Sequence, residues 1–389
     1  MGDMKKVYDD RVKRILTTVN HEEPDRVPIL STYGTWAVSY ANSSIKEIEE
    51  NPEKEIEVFC KPHEDIYCDA TYTCGIAFDA KSAEIIGSKS HFISRDGETI
   101  QHQEITPMES EDYPDLIKNP MEFIFNKLVP RKAANLRESA SENYDTLKQL
   151  LNHWKVKGDV QQRLRATLKE KYGIPVITGG FAYPPMDIIF DYLRGFKGIS
   201  LDIRRRPEEL LEAINALAEF SNDVMGIHPG TKQVASFPFY ATMMHLPTFI
   251  NAKQFEKFFW PTYEKMFLKI HELGGKLIIF LEGKWEDKYY LLNSMPKNFA
   301  IGIIEGDDVF EAKKKIGDNI TIAGGMPLEL LKMGTKDKCI DYAKKLLDEC
   351  APGGGYIFAT SRELLSRGDL NVENLKAVNQ FVHEHGVYK

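Results

Sequence analysis

Residues 276–283 read KLIIFLEG and residues 299–306 read FAIGIIEG, and these two stretches decide the fold. Each is an apolar run of strand length, which is typical of a strand buried on both faces of a parallel sheet. Each run ends in a glutamate followed by a glycine, at Glu282 and at Glu305, where a strand is expected to give way to a loop. The pattern therefore predicts two carboxylates at the carboxyl ends of two parallel strands.

Six further apolar, β-branched runs occur along the chain, and most of the segments between the runs have amphipathic helical periodicity. The full set reads VPILST (27–32), DIYCDAT (65–71), IPVITGG (174–180), QVASFPFY (233–240), KLIIFLEG, FAIGIIEG, NITIAGG (319–325) and GYIFATS (355–361). Strands that alternate with helices favour parallel pairing, and a count of eight predicts an α/β fold closed into a (β/α)8 TIM barrel. Active sites of such barrels lie at the carboxyl ends of the strands.

Three segments depart from the strand and helix alternation. An N-terminal helical extension precedes the first strand. Residues 84–107 alternate apolar and polar side chains around an Asp96-Gly97 turn, which predicts an antiparallel hairpin. Residues 112–172 are mostly charged helix, and together with the hairpin they are expected to form a cap near one mouth of the barrel. No repeat or Gly/Ser linker divides the chain, so residues 1–389 are predicted to be a single domain with insertions.

Composition excludes several classes of function. The net charge of -8 is spread without a polybasic block, so nucleic acid and an anionic membrane are not expected partners. No apolar stretch reaches the roughly 18 residues that span a bilayer, and the charged start lacks a signal-peptide core. Five cysteines form no CxxC pair and leave one over, which fits a reducing compartment. We expect a cytoplasmic protein.

Glu282 and Glu305 are the first candidates for chemistry. Because they follow consecutive strands, they are predicted to form a metal-binding or acid/base pair at the rim of the barrel. The alternative is that each caps a helix or pairs with a nearby cation such as Lys284. His245, in FYATMMHLPTFI after the fourth strand, is the candidate third member of this site. A packed, hydrogen-bonded side chain is the alternative for this histidine.

Aromatic residues are expected to gather at the same rim and to line an apolar pocket for a ring-shaped substrate. They are Tyr33, Trp36, Phe181, Tyr183, Phe239, Tyr240 and Trp285, and ordinary core packing is the alternative for each. The chain lacks a P-loop, a GxGxxG motif after a strand and a GxSxG nucleophile elbow. A phosphate-cradling loop and a serine nucleophile of that type are therefore not predicted.

Three long stretches carry a resemblance to a known family: NAKQFEKFFWPTYEKMFLKIHELGGKLIIFLEGKWED, EAKKKIGDNITIAGGMPLELLKMGTKDKCIDYAKKLLDECAPGGGYIF and NVENLKAV. With the order of the elements, they resemble the uroporphyrinogen-decarboxylase-like superfamily. Within it, the chain looks most like the methyltransferase components of corrinoid-dependent aryl-ether O-demethylases of anaerobes. The similarity runs from about residue 20 to the C-terminus and is densest from 250 to 380.

Differences from two branches of that superfamily narrow the range of expected activities. The decarboxylases carry an arginine-rich segment at the first strand, whereas no arginine occurs here between Arg26 and Arg95. The thiol-methylating enzymes bind zinc through a His-x-Cys after the fifth strand and a late cysteine after the eighth. This chain has Phe-Leu-Glu at 280–282 and Ala-Thr-Ser at 359–361, so that zinc-thiolate site cannot form.

What the resemblance then implies is methyl transfer from a methoxylated aromatic compound to Co(I) of a corrinoid. Glu282 with Glu305 and His245 is expected to hold either a zinc ion or a proton against the ether oxygen, because a phenolate is a poor leaving group unless its charge is neutralised. The Asp-x-His-x-x-Gly signature of corrinoid-binding partners is not met at residues 269–274, which have lysine in place of the aspartate. The corrinoid, or cobalamin, should therefore arrive on a separate corrinoid protein.

Two rival functions remain open at this point. One is a decarboxylase-like lyase acting on a tetrapyrrole or an aromatic acid. The other is a non-catalytic module that binds a corrinoid or tetrapyrrole. A homodimer is compatible with the family resemblance.

Overall fold

The computed structural model describes residues 2–77, 79–136, 139, 141, 143–224, 237 and 239–389. Its ten strands are β1 Leu30–Ser31, β2 Ala70–Thr71, β3 His91–Ile93, β4 Ile100–His102, β5 Thr178–Phe181, β6 Phe239–Thr242, β7 Lys276–Leu281, β8 Ala300–Ile304, β9 Thr321–Met326 and β10 Tyr356–Thr360. Each of the eight runs predicted to be strands contains or overlaps one of them. The fourth, predicted at 233–240, is observed at Phe239–Thr242, and residues 233–236 and 238 lie outside the described residues.

The α-helices are α1 Gly2–Val19, α2 Trp36–Tyr40, α3 Ile45–Glu50, α4 Lys54–Asp65, α5 Ala80–Ile85, α6 Tyr113–Lys118, α7 Pro120–Phe123, α8 Val129–Lys132, α9 Tyr144–Tyr172, α10 Pro185–Ile188, α11 Gly195–Arg205, α12 Pro207–Val224, α13 Ala252–Gln254, α14 Trp260–Glu272, α15 Tyr289–Asn293, α16 Val309–Ile316, α17 Leu328–Met333, α18 Lys336–Cys350 and α19 Val372–His385. Three π-helical segments span Ile124–Leu128, Ile189–Arg194 and Phe255–Phe259. Short 3-10 turns span Ser110–Asp112, Leu246–Thr248, Glu286–Lys288 and Arg367–Asp369.

Eight parallel strands form a closed ring. Six of them pair in the order β10-β9-β8-β7-β6-β5, and β1 pairs with β2. Two single bridges join these sheets: Ile29 pairs with Phe358 beside β10, and Thr71 pairs with Val176 just before β5. Both bridges are parallel, so the ring reads β1-β2-β5-β6-β7-β8-β9-β10 and the predicted barrel is confirmed.

Two apolar layers hold the barrel together. The inner layer fills the barrel with alternate strand residues, and Ile15 and Val19 of α1 pack into the same cluster. The outer layer lies between the strands and the surrounding helices. The N-terminal helical extension therefore contributes apolar side chains to the inner layer of the barrel.

The hairpin lies near the mouth of the barrel, whereas α6 and α7 after it pack on α12. Strands β3 and β4 pair antiparallel, with His91 opposite His102, and Gly97 supplies the positive φ of 75° that the turn requires. The segment that follows the hairpin is tied to the 189–194 π-helix, since Arg194 donates to the Met108 carbonyl at 2.7 Å. Helix α9, in contrast, packs on α4 and α1 and belongs to the outer helical layer of the barrel.

Candidate active site

Glu282 and Glu305 leave adjacent strands side by side. The last register pair between β7 and β8 is Leu281 with Ile304, so the two glutamates occupy the next position on each strand. Their side chains serve different partners. The Glu305 carboxylate accepts a 3.1 Å hydrogen bond from the Gly283 amide, which holds the two loops together. The Glu282 carboxylate instead forms part of a cavity wall.

His245 is fixed next to Glu282 through its own backbone. It lies three residues beyond β6, and its amide donates to the Asp187 carboxyl group at 3.2 Å. The Leu246 amide donates to the other oxygen of the same group at 3.0 Å. Asp187 lies in α10 and is fully buried, so it acts as an internal cap that sets the position of this turn.

The His245 ring lies between two carboxyl groups. Its Nδ1 is 2.8 Å from Oδ2 of Asp191, and its Nε2 is 4.0 Å from Oε1 of Glu282. Asp191 belongs to the 189–194 π-helix, and the Tyr183 hydroxyl donates to the same Asp191 oxygen. The result is a chain of four side chains, Tyr183, Asp191, His245 and Glu282, that starts in the loop after β5 and ends at the carboxyl end of β7.

The charges of His245 and Glu282 follow from burial and from the charged groups beside them. The hydrogen bond with Asp191 raises the pKa of His245 to about 9 and outweighs the opposing effect of burial. Burial raises the pKa of Glu282 to about 7, although the nearby His245 works in the opposite direction. At neutral pH the imidazole is therefore protonated, and Glu282 holds a proton for much of the time.

A cavity of about 510 Å³ opens beside these two residues. This size suits a small aromatic ligand. Its lining comprises the polar cluster, an aromatic wall and two residues of the cap: Asp191, His245, Thr248 and Glu282, then Phe190, Phe196 and Phe249, then His102 and Glu104. The Phe249 ring lies 5.8 Å from the Phe190 ring and 5.2 Å from the Phe196 ring. A planar apolar ring can stack in such a pocket with its polar edge toward Glu282.

The sequence-predicted aromatic residues are distributed differently. Tyr33 and Trp36 pack on each other in the outer core, with ring centroids 5.3 Å apart. Trp285 is fully buried, and its indole donates to the Glu282 carbonyl at 3.0 Å, so it supports the loop and does not line the cavity. Phe181 is 46% exposed and lies outside the cavity lining. Tyr183 alone among the seven joins the polar cluster.

The predicted position of Phe239 and Tyr240 is wrong. They were expected at the end of the fourth strand, whereas they are the first two residues of β6, which ends at Thr242. The structure therefore places them at the end of the barrel opposite the rim. Phe239 points into the inner layer and Tyr240 into the outer layer, as neighbours on a strand must.

The residues predicted to hold zinc do not fit that metal. The hydrogen bond between Nδ1 of His245 and Asp191 leaves Nε2 as the nitrogen that could bind a metal, but the predicted partner there, Glu282, is 4.0 Å away. Glu305 is occupied by the Gly283 amide. Across the described ranges, no group of three or more His, Cys, Asp or Glu side chains is placed to hold a metal ion. The donor set suits a proton better than zinc.

Sequence reasoning missed Asp187 and Asp191. Both fall in PPMDIIFDYLRGF, directly after β5 and thus at the same rim as the glutamates. They are four residues apart, which places two acids on one side of a helical turn. Their position directly after a strand is the sequence signal for them. Phe196 and Phe249, in contrast, have no sequence signal that separates them from other surface aromatic residues.

Fold and site together define a (β/α)8-barrel protein with a half-buried carboxyl and imidazole cluster at the carboxyl ends of its strands. The family model described as uroporphyrinogen decarboxylase (URO-D) matches residues 121–385, more than half of the chain. The chain belongs to this family.

Among solved structures, the chain is similar to a methyltransferase from Methanosarcina mazei. The two are 15% identical, the match covers 96% of this chain and 98% of that chain, and the TM-score is 0.64. At this identity the likeness shows a common fold. A search of curated proteins gave no match. No helix in the described part of the chain is long and apolar enough to cross a membrane.

Proposed function

We propose that this protein is a methyltransferase that demethylates a methoxylated aromatic compound and passes the methyl group to Co(I) of a separate corrinoid protein. The observation that carries the proposal is the Asp191, His245 and Glu282 cluster on the wall of a cavity lined by phenylalanines. It offers a proton and a positive charge at the place where the edge of a bound ring would lie. The family resemblance of the sequence supplies the reaction class.

The leaving group sets the chemical demand. When the bond between the methyl carbon and the ether oxygen breaks, the bonding electron pair stays on oxygen and produces a phenolate. A phenolate leaves slowly near neutral pH unless a proton or a positive charge meets it. The partner's corrinoid, when docked, supplies the Co(I) electron pair that forms the new bond to the methyl carbon.

Glu282 is the proton donor in this scheme. A pKa of about 7 lets the carboxyl group hold a proton in the free enzyme and release it to the oxygen at neutral pH. After transfer the carboxylate forms beside His245, whose positive charge stabilises it. Solvent can then return the proton, because the Glu282 side chain remains 29% exposed.

His245 acts as a fixed cation. Asp191 holds one edge of the imidazolium, so the other edge faces the cavity and Glu282. A charge that is already in place before the reaction needs no reorganisation as the oxygen becomes negative. Tyr183 and Asp187 keep Asp191 and the His245 backbone in position.

The phenylalanine wall orients the ring. Phe190 is buried, whereas Phe249 is 59% exposed at the edge of the cavity. A substrate ring bound against these side chains would cover them and exclude water from the ether oxygen. The open side of the cavity leaves the methyl group accessible to a docked partner.

Reconstituted methyl transfer tests the proposal. The protein is mixed with a reduced corrinoid protein and a panel of methoxylated benzenes, and methyl-cobalt absorbance and free phenol are followed. We expect both products in equal amounts with at least one ring. Release of CO2 from an aromatic acid without any corrinoid protein would favour the lyase alternative. Tight corrinoid binding with no turnover, unchanged by Glu282→Gln, would favour the binding module.

A further inference from the structure

The hairpin brings two histidines side by side. His91 of β3 and His102 of β4 are directly opposite each other in the strand register. In the next register pair, the Gln103 amide donates to the Ser90 carbonyl at 2.8 Å. Because hydrogen-bonded and non-hydrogen-bonded pairs alternate along an antiparallel ladder, His91 and His102 form a non-hydrogen-bonded pair, the kind whose side chains lie closest. Both rings therefore project from one face of the hairpin.

The separation of the two rings suits a shared metal ion. The ring centroids of His91 and His102 are 5.1 Å apart, and the ring planes are inclined by 48°. A metal at the usual distance from an imidazole nitrogen lies about 3.2 Å from the ring centroid, so two rings bound at an octahedral or tetrahedral angle have centroids about 4.6–5.3 Å apart. The observed distance falls within this range. Ring rotation alone, without movement of the strands, would complete the site.

Two serines orient the His91 ring from behind. Nδ1 of His91 is 3.1 Å from the Ser90 hydroxyl oxygen, and the Ser88 hydroxyl donates to that same oxygen at 3.1 Å. Both serines are buried. A histidine that binds a metal through one ring nitrogen usually makes a hydrogen bond through the other, which fixes the orientation of the ring. The contact with Ser90 makes Nε2 the ligand nitrogen of His91.

The charges around the pair are compatible with a cation. Burial, together with the charges of His102 and Lys132, lowers the pKa of His91, which favours the neutral ring that a metal requires. Lys132 opposes a bound cation. Asp79 acts on His91 with the opposite sign, and Glu104, two residues beyond His102, adds a second carboxylate on the wall of the same cavity. These two carboxylates offset the positive charge of Lys132.

We propose that His91 and His102 form a binding site for one divalent transition-metal ion that prefers nitrogen ligands, as zinc does, on the hairpin side of the cavity. His102 lines that cavity. In the described part of the chain, no third His, Cys, Asp or Glu side chain completes the set, so water or an oxygen atom of a molecule in the cavity fills the remaining positions. The site is separate from Glu282 and His245, and it does not depend on methyl transfer.

Calorimetry with zinc chloride tests the site. The full-length protein is first freed of metal with a chelator, and magnesium chloride is the comparison titrant. We expect one equivalent of zinc to bind with a dissociation constant below about 100 μM, because the second imidazole binds intramolecularly. Magnesium should give no heat of binding, since it prefers oxygen ligands. No zinc binding by the unmodified protein, or equal binding of magnesium, would overturn the proposal.

Two variants assign the binding to the hairpin. His91→Gln and His102→Gln should each weaken zinc binding at least about tenfold, because each leaves a single imidazole. His271→Gln is the matched control, since His271 is an exposed histidine in the last turn of α14, and its zinc affinity should equal that of the unmodified protein. Urea unfolding without zinc checks that the variants fold. Unchanged zinc affinity in both folded hairpin variants would place the metal elsewhere and contradict the assignment.

Proton NMR of the histidine rings tests the same site in the unmodified protein. Zinc should shift the signals of two histidine rings together, with saturation at one equivalent, and a chelator should reverse the shifts. Lowering the pH to about 5 should release the ion, because protons compete for the ring nitrogens. A shift of one ring alone, or of more than two rings, would contradict a shared site. These results hold whether or not the protein transfers methyl groups.

Discussion

Nε2 of His245 lies 4.0 Å from Oε1 of Glu282, and the opposite nitrogen of the same ring lies 2.8 Å from Asp191. One imidazole thus separates two acids that behave differently. Both acids line the cavity, but they make different contacts. Asp191 accepts a hydrogen bond from the ring, whereas the Glu282 carboxyl group lies beyond hydrogen-bond distance of it, and burial raises the pKa of Glu282 to about 7.

Glu282→Gln should lower the rate of methyl transfer by at least about a hundredfold, the usual scale for a positioned acid. The amide keeps the size of the side chain but cannot release a proton. The rate is measured as methyl-cobalt formation with excess corrinoid protein. Glu286→Gln is the control, because Glu286 is an exposed carboxylate in the same loop that pairs with Lys315. A near-normal rate in folded Glu282→Gln would show that Glu282 is structural.

The same substitution should stabilise the protein at alkaline pH. The pKa of Glu282 is raised from 4.5 to about 7 in the native state, so ionisation is unfavourable for folding. The effect is absent below pH 4.5, where the group is protonated in both states, and it is complete above pH 7. We expect Glu282→Gln to gain on the order of 1–3 kcal/mol at pH 8 and little at pH 4.5. Urea unfolding at both pH values checks this, and an equal gain at both would contradict it.

Asp191→Asn should move the pKa of His245 down from about 9 toward its ordinary value of 6.5. The raised value means that the Asp191 pair stabilises the native state fully below pH 6.5 and that this stability is lost as pH rises through 9. Asp191→Asn should therefore abolish the decline in stability between these two pH values. It should also shift the alkaline limb of the rate profile to lower pH.

Proton NMR titration of the His245 ring measures this shift directly. Asp287→Asn serves as the control, since Asp287 pairs with Lys288 and is 57% exposed. An unchanged His245 titration in Asp191→Asn would mean that Asp191 does not set the charge of the ring.

Asp187→Ala should destabilise the protein by about 2–4 kcal/mol, because it leaves two buried amides without acceptors. Those amides belong to His245 and Leu246. Asparagine keeps one acceptor oxygen but turns its NH2 group toward the second amide, because the two amides donate to different oxygens of Asp187. We therefore expect Asp187→Asn to recover only part of the loss in urea unfolding. A loss below about 1 kcal/mol in Asp187→Ala would argue against the capping role.

The strands could be predicted because a buried parallel strand leaves a continuous apolar run, as in 276–281 and 300–304. Because every position in such a run is apolar, the sequence does not indicate which residues point into the barrel. Phe239 and Tyr240 are both apolar and both buried, so the sequence could not separate the inner from the outer layer or locate the start of β6. For that reason the predicted position of Phe239 and Tyr240 at the rim is wrong.

The common position of the glutamates and His245 at one rim could be predicted because each follows a strand, and the barrel brings strand ends together. The charge of His245 could not be predicted, since it depends on Asp191, which is 54 residues away in sequence. The pairing of Glu305 with Gly283 was also hidden, because a backbone partner leaves no sequence pattern. Long-range contacts of this kind require the folded chain.

The dependence of the rate on the leaving group tests the central claim most directly. Methyl-cobalt formation is measured for a series of ring-substituted methoxybenzenes whose phenols differ in acidity, with the unmodified protein and with Glu282→Gln. If Glu282 delivers a proton to the departing oxygen, the rate loss in Glu282→Gln is largest for the least acidic phenol and shrinks steadily toward 4-nitrophenol. A loss of the same size for every ring, or no loss for any, would contradict the account.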